Sequence, residues 1–142
     1  MSTMSRFFKE NKTQKANTTY AATKNLTDDY GIPLDWVIKP VSTKENDWIQ
    51  EKCMTDVPVP GKPNQFRQKL NTLEYARRLI AASVVYPDLM NAELQDNYGV
   101  MNPEELVQEM IDDSGEWNAF VQFINQFNGF VAIQEEINEI KN

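Results

Sequence analysis

The sequence predicts an α+β protein, in which a small N-terminal β-hairpin region precedes a compact, mostly α-helical part. Residues 1–70 contain β-prone runs separated by turn residues. Residues 71–142 contain a series of capped amphipathic segments. We expect all 142 residues to form one domain, because a chain of this length buries well over half of its unfolded surface without a metal or a disulfide.

A first hairpin is predicted in the N-terminal part. Two runs rich in β-branched and aromatic residues, 18–23 and 34–38, flank a turn-forming segment at 27–31. Apolar and polar residues alternate in the second run, so one face of that strand is predicted to be buried. The apolar residues of this face are Leu34, Trp36 and Ile38.

Helices are predicted on both sides of this hairpin. Before it, residues 5–11 are typical of a short amphipathic helix, to which Phe7 and Phe8 contribute the apolar side. After it, the Ser-Thr-Lys-Glu sequence at 42–45 is a capping box. This box predicts a helix that runs to about Met54.

A second, weaker hairpin is predicted next. Residues 57–63 contain three prolines, and proline cannot continue a helix because it lacks the backbone donor. Since proline confines a strand to the edge of a sheet, this segment is predicted to be an edge strand that leads into residues 65–69.

The helical part begins with a capping pair, Asn71 and Glu74, which predicts a helix to about Val85. Residues 79–86 are apolar on nearly every side, which is typical of a helix in the middle of a core. Pro87 ends this helix.

Start and stop residues define the later helices. Asn91–Tyr98 is predicted to be a short helix with Gly99 as its left-handed cap. A further helix is predicted to start at Asn102-Pro103, and another to run from Asp113 to a stop at Gly129. A last helix is predicted over residues 131–140, with Ile133, Ile137 and Ile140 on one side.

The residue types argue against an enzyme or a metalloprotein. The chain has no histidine and one cysteine, Cys53, which is predicted to be a half-buried apolar residue because no histidine could activate its thiol. No calcium-loop pattern occurs. A catalytic pair of carboxylates, brought together from positions far apart in the sequence, stays open as an alternative. We expect no catalytic residue, no metal and no cofactor, and assign capping and solvation to the acidic pairs at 28–29, 112–113 and 135–136.

Charge is unevenly distributed along the chain. The net charge is −7, and residues 72–142 contain three Lys or Arg against thirteen Asp or Glu. Such an acidic half argues against nucleic-acid binding, which needs clustered cations. It is either a solvated surface or a surface that meets a basic partner. With no apolar run that could span a membrane and no secretory signal, the expected location is the cytoplasm.

The segment 116–128 is the candidate partner-binding element. Its apolar stripe is broader than one core-facing side of a helix requires. Either neighbouring helices bury both edges of the stripe, or part of it forms an exposed patch together with the isoleucines of 131–140. The candidate residues are Trp117, Phe120, Phe123, Ile124, Phe127, Ile133, Ile137 and Ile140, with Val121 in the same stripe.

Motifs in a fixed order along the chain resemble the XkdN-like family of phage tail assembly chaperones. They lie at residues 7–11, 34–45, 82–89, 93–100, 103–106, 115–116 and 128–130. Within them the family fingerprint consists of Trp36, Pro87, Asp88, Leu94, Tyr98, Gly99, Pro103 and Gly129.

This resemblance implies a non-enzymatic role in building a phage tail. Such proteins bind the long, apolar, helical tape measure protein, keep it soluble and help to recruit tail tube subunits. The resemblance also implies a location in the host cytoplasm and absence from the mature virion. Whether the protein forms a homo-oligomer stays open. Two alternatives also stay open: a structural adaptor retained in the tail, and an acidic DNA-mimic or anti-restriction protein.

Overall fold

The computed structural model describes residues 3–130, which form five α-helices and five β-strands arranged in two antiparallel sheets. The helices are α1 (Thr43–Lys52), α2 (Thr72–Ser83), α3 (Ala92–Tyr98), α4 (Pro103–Met110) and α5 (Ser114–Asn128). The strands are β1 (Thr18–Tyr20), β2 (Trp36–Ile38), β3 (Met54–Pro58), β4 (Phe66–Leu70) and β5 (Val84–Tyr86). The predicted α+β fold class is confirmed.

The first sheet contains the predicted hairpin and one further strand. Its order is β1-β2-β5, with β1 and β5 both antiparallel to the central β2. Trp36 and Ile38 are buried, as the alternation predicts. Leu34 is 45% exposed, so its assignment to the buried face was wrong. The reason is that regular strand geometry begins only at Trp36, so the period of two does not extend back to Leu34.

Strand β5 corrects the predicted end of the second helix. Helix α2 stops at Ser83, and the residues expected to complete it pair with β2 in the register Ile38↔Val84 and Val37↔Tyr86. The branched side chains of two consecutive valines disfavour helix, and a residue that precedes proline is restricted to extended geometry. The helical part of the chain therefore supplies a strand to the N-terminal sheet.

Strands β3 and β4 confirm that a second hairpin follows α1, but the predicted strand at 57–63 was wrong in position, because β3 ends at Pro58 and residues 59–65 connect the two strands. They pair in an unbroken antiparallel register from Met54↔Leu70 to Pro58↔Phe66. Helix α1 ends at Lys52, slightly before the expected end at Met54, because β3 begins at Met54.

Every predicted helix cap within residues 3–130 forms. The Ser42 side chain accepts a hydrogen bond from the Glu45 amide at 3.1 Å, and the reciprocal bond completes the capping box. The side chains of Asn71, Asn91, Asn102 and Asp113 accept from the third residue of their helices. Gly99 and Gly129 adopt the left-handed conformation, with φ of 70° and 77°.

The N-terminus differs from its prediction. Instead of one amphipathic helix over residues 5–11, two short 3₁₀ helices span Met4–Phe7 and Lys9–Asn11. Phe7 is 85% exposed and Phe8 is also exposed, so neither contributes a buried apolar side. So short a segment does not form enough helical hydrogen bonds to offset the cost of helix nucleation. The predicted helix 131–140 lies outside the described residues.

One apolar core joins the first sheet to four of the helices. Its completely buried large side chains include Trp36 and Ile38 from β2, Leu79 and Ile80 from α2, Leu106 from α4, and Phe120 and Ile124 from α5, and α1 adds the buried Ile49.

Cys53 is fully buried in this core, deeper than the half-buried position that the sequence predicts. Burial raises the pKa of its thiol, with the Glu74 carboxylate adding to the effect. Since only the thiolate is nucleophilic, we expect a disulfide reagent to modify Cys53 very slowly in the native protein at neutral pH. In denaturant the reaction should become fast. Rapid native-state modification, measured by the absorbance of released thiolate, would contradict this burial.

Candidate functional site: the groove beside helix α5

The middle of the predicted apolar stripe is part of the core. Phe120 and Ile124 have no solvent exposure. The Phe120 ring stacks against Tyr20 at a centroid distance of 5.3 Å and meets the Trp36 ring edge-on at 6.0 Å. Trp117 is half-buried and packs against the same core. These three residues therefore fix α5 against the sheet.

One edge of the stripe is covered by the N-terminal segment of the chain. The Tyr20 ring stacks on Phe123 at a centroid distance of 4.2 Å, and Phe123 stacks in turn on Phe127. The Lys15 ammonium lies 4.4 Å from the Phe127 ring centroid and donates a hydrogen bond to the Phe127 carbonyl oxygen. Phe123 and Phe127 are half-buried as a result.

Polar contacts hold both ends of α5 against the N-terminal part. At its start, the Glu116 carboxylate accepts hydrogen bonds from the Thr23 hydroxyl at 2.7 Å and the Lys24 amide at 2.8 Å. At its end, the Asn128 side-chain oxygen accepts from the Val41 amide at 2.9 Å. These bonds cross about ninety residues of sequence, and they set the position of α5.

We expect Glu116→Ala to lower the free energy of unfolding by about 1–3 kcal/mol, because the buried Thr23 hydroxyl then loses its acceptor. Chemical denaturation followed by circular dichroism measures the change. Glu109→Ala is the matched control, since Glu109 is an exposed helical acid for which no side-chain bond is found within the described residues. Equal effects of the two substitutions would contradict a role for the Glu116 carboxylate in holding α5.

The other edge of α5 borders a groove, which we call the α5 groove. Helices α1 and α2 and the end of β4 form its opposite wall, and the groove has a volume of about 660 Å³. At 1.5 Å per residue, the wall from Asn118 to Gly129 is about 16 Å long, or roughly three helical turns. The lining residues are Asn46, Gln50, Leu70, Tyr75, Asn118, Val121, Gln122, Asn125, Gly129 and Phe130.

The lining of the α5 groove combines apolar surface with uncharged amides. Four residues are aliphatic or aromatic, five carry side-chain amides, and no charged side chain takes part. The Tyr75 hydroxyl donates a hydrogen bond to the Asn46 side-chain oxygen. Burial raises the pKa of Tyr75, so its phenol stays neutral. Such a surface suits an apolar ligand flanked by neutral hydrogen-bonding groups.

A second cavity, of about 430 Å³, lies between α2 and α4 and has a different character. Glu74, Arg78 and Glu104 are among its lining residues, and it contains charged groups of both signs. Arg78 forms an ion pair with Glu74 at 3.0 Å within the same helix, so its charge is already balanced. We regard the α5 groove as the better site for an apolar partner.

The structure brings together a different set of residues from the one the sequence singles out. Val121 lines the groove, as do the polar residues Asn118, Gln122 and Asn125 of the same helix, which are not among the candidate residues. Ile133, Ile137 and Ile140 lie outside the described residues. Residues of α1 and α2 are missing from the sequence prediction because no local pattern links them to α5.

Two classes of feature are not found within residues 3–130. No helix there is long and apolar enough to cross a membrane. No group of three or more Cys, Asp or Glu side chains in that part is arranged to hold a metal ion.

Comparison with known structures supports the fold. The crystal structure of the protein YqbN superposes with a TM-score of 0.74, covering 92% of this chain and 98% of that one. The two sequences are 18% identical, so this likeness shows the fold alone.

Comparison of sequences identifies the family. The chain is 24% identical over 116 residues to Phage-like element PBSX protein XkdN of Bacillus subtilis strain 168, covering 82% of this chain and 77% of that protein. It is 22% identical over the same length to the protein YqbN of that strain, of which it covers 76%. The family model of the phage XkdN-like tail assembly chaperone proteins matches residues 4–141. The chain therefore belongs to the phage XkdN-like tail assembly chaperone family.

Proposed function

We propose that the protein is a non-catalytic chaperone that binds the tape measure protein in the host cytoplasm, keeps it soluble and assists assembly of the tail tube around it. The single observation that supports this proposal most is the α5 groove, which is uncharged in a protein of net charge −7. A groove of this kind accepts the apolar face of an amphipathic helix.

The dimensions of the groove suit a helical ligand. Its length of roughly three turns matches the spacing over which an amphipathic helix presents anchors at i, i+3, i+4 and i+7. Val121, Leu70 and Phe130 offer apolar contacts to such anchors. The five lining amides can donate to and accept from polar groups at the edges of the helix.

The acidic helical part has a complementary role in this proposal. Exposed acids such as Glu93, Glu105 and Glu109 lie on helices that do not line the groove. When the groove covers an apolar segment, these charges keep the complex in solution and prevent complexes from associating with one another.

Co-expression with the tape measure protein of the same phage tests the proposal. We expect the tape measure protein to become more soluble and to co-purify with the chaperone. An unrelated acidic protein of similar size is the control. If the tape measure protein gains no solubility and does not co-purify, the proposal is wrong.

Mass spectrometry of purified virions separates this function from that of a structural adaptor. A chaperone that leaves after assembly is absent from the virion, whereas an adaptor is present in stoichiometric amount. Salt separates it from a DNA mimic, whose electrostatic binding weakens steeply as salt rises.

A further inference from the structure

We propose that the free edge of strand β4 is a second docking surface, which takes an extended acidic segment of a partner protein as an added strand. This surface adjoins the α5 groove at Leu70, which ends β4 and also lines the groove. The proposal does not depend on binding of the tape measure protein. It rests on the isolation of the second hairpin, on the groups exposed at its edges and on its charge.

The β3–β4 hairpin forms a sheet of its own. It pairs with no strand of the first sheet, and nearly all of its side chains are exposed. An isolated two-stranded hairpin is marginally stable in water, and a third strand or a packing surface usually supports it. A partner strand would therefore stabilise this hairpin more than it would stabilise a strand of a larger sheet.

The hydrogen-bond pattern shows which backbone groups face outward. Within the hairpin the Val59 amide donates to the Gln65 carbonyl at 3.1 Å, and the Asn71 amide donates to the Cys53 carbonyl at 2.8 Å. Because bonded pairs alternate along an antiparallel ladder, Arg67 and Lys69 also point their backbone groups into the hairpin. The outward backbone groups of β4 then belong to Phe66, Gln68 and Leu70.

The two edges of the hairpin are not equivalent. On β3 an outward position is Pro58, which has no N–H, and the neighbouring outward residue Asp56 is acidic. Both features are devices by which proteins block strand addition at an edge. The β4 edge contains no proline and offers its full set of donors and acceptors. An added strand therefore pairs with β4.

The charge of β4 indicates the chemistry of that strand. Arg67 and Lys69 project from the same face, two residues apart, and neither forms an ion pair within the described residues. A strand beside β4 places alternate side chains next to these cations, where acidic residues are favourable, and its other side chains next to Phe66. Alternating acidic and apolar residues meet both requirements.

Two other occupants of the β4 edge are unfavourable. Pairing β4 with the β4 strand of a second copy would bring like charges together, which is unfavourable in cross-strand pairs. Nucleic acid has no amide backbone with which to add a strand to this edge. The geometry thus favours an acidic polypeptide in extended conformation.

A short blocked peptide in which glutamate and valine alternate is the probe. It is titrated into the full-length, isotope-labelled protein, with amide shifts and hydrogen exchange as readouts. We expect the amides of Phe66, Gln68 and Leu70 to shift and to gain protection, while those of Arg67 and Lys69, already bonded, gain little. Strand addition would be overturned if the peptide bound and protected all amides of β4 equally. It would also be overturned if the peptide did not bind.

Two controls test backbone pairing and charge separately. The same peptide with N-methylated valines cannot pair along its length, and binding as tight as that of the parent would overturn the proposal. Arg67→Glu/Lys69→Glu should weaken peptide binding by about tenfold. Lys12→Glu/Lys44→Glu changes the net charge equally at exposed sites away from the hairpin, and an equal loss there would overturn the assignment to β4.

Discussion

Phe120→Ala is expected to lower the free energy of unfolding by about 3–5 kcal/mol, the largest effect on stability that we predict for a single residue of α5. The Phe120 ring is completely buried and contacts Tyr20 and Trp36 from the two paired strands of the first hairpin. Alanine leaves a cavity at this junction, which the surrounding helices cannot fill without moving. Urea unfolding followed by circular dichroism measures the loss.

Phe7→Ala is the matched control for this prediction. It removes the same side chain from a site that is 85% exposed, so the free energy of unfolding should change by less than about 0.5 kcal/mol. A Phe120→Ala protein as stable as the parent would show that the contact between α5 and the hairpin does not hold the core together.

Local signals account for most of what the sequence predicts correctly. Ser42, Asn71, Asn102 and Asp113 each accept a hydrogen bond from a backbone amide three residues ahead, so a cap depends on a few neighbouring residues only. Gly99 ends its helix for an equally local reason, since its positive φ is costly for other residues. The helix ends that these caps define were therefore predictable from the sequence.

Non-local pairing accounts for what the sequence does not predict. Val84 to Tyr86 continue the apolar pattern of α2, and their strand conformation depends on β2, nearly fifty residues earlier in the chain. Tyr20 and Lys15 cover one edge of α5 without any sequence pattern that links them to Phe123 or Phe127. The sequence thus identified the aromatic stripe as a candidate site. It did not show which edge of α5 the rest of the protein leaves uncovered.

Val121→Arg is expected to abolish co-purification of the tape measure protein while leaving the chaperone folded. Val121 is half-buried in the lining of the α5 groove, which contains no acid that could pair with an arginine. A charged side chain there blocks the groove and would be desolvated by an apolar ligand. Substitution at the centre of an interface typically costs 2 kcal/mol or more, so we expect affinity to fall by about thirtyfold or more.

Gln126→Arg is the matched control, because Gln126 lies on the exposed side of α5 and adds the same charge outside the groove. It should bind the tape measure protein as the parent does. Binding by the parent should also persist at about 1 M NaCl, where charge interactions are screened within about 3 Å, since the groove offers no charge to the ligand. If Val121→Arg binds normally, or if salt alone releases the partner, the partner is held elsewhere, and the acidic helices would then be the surface to substitute next.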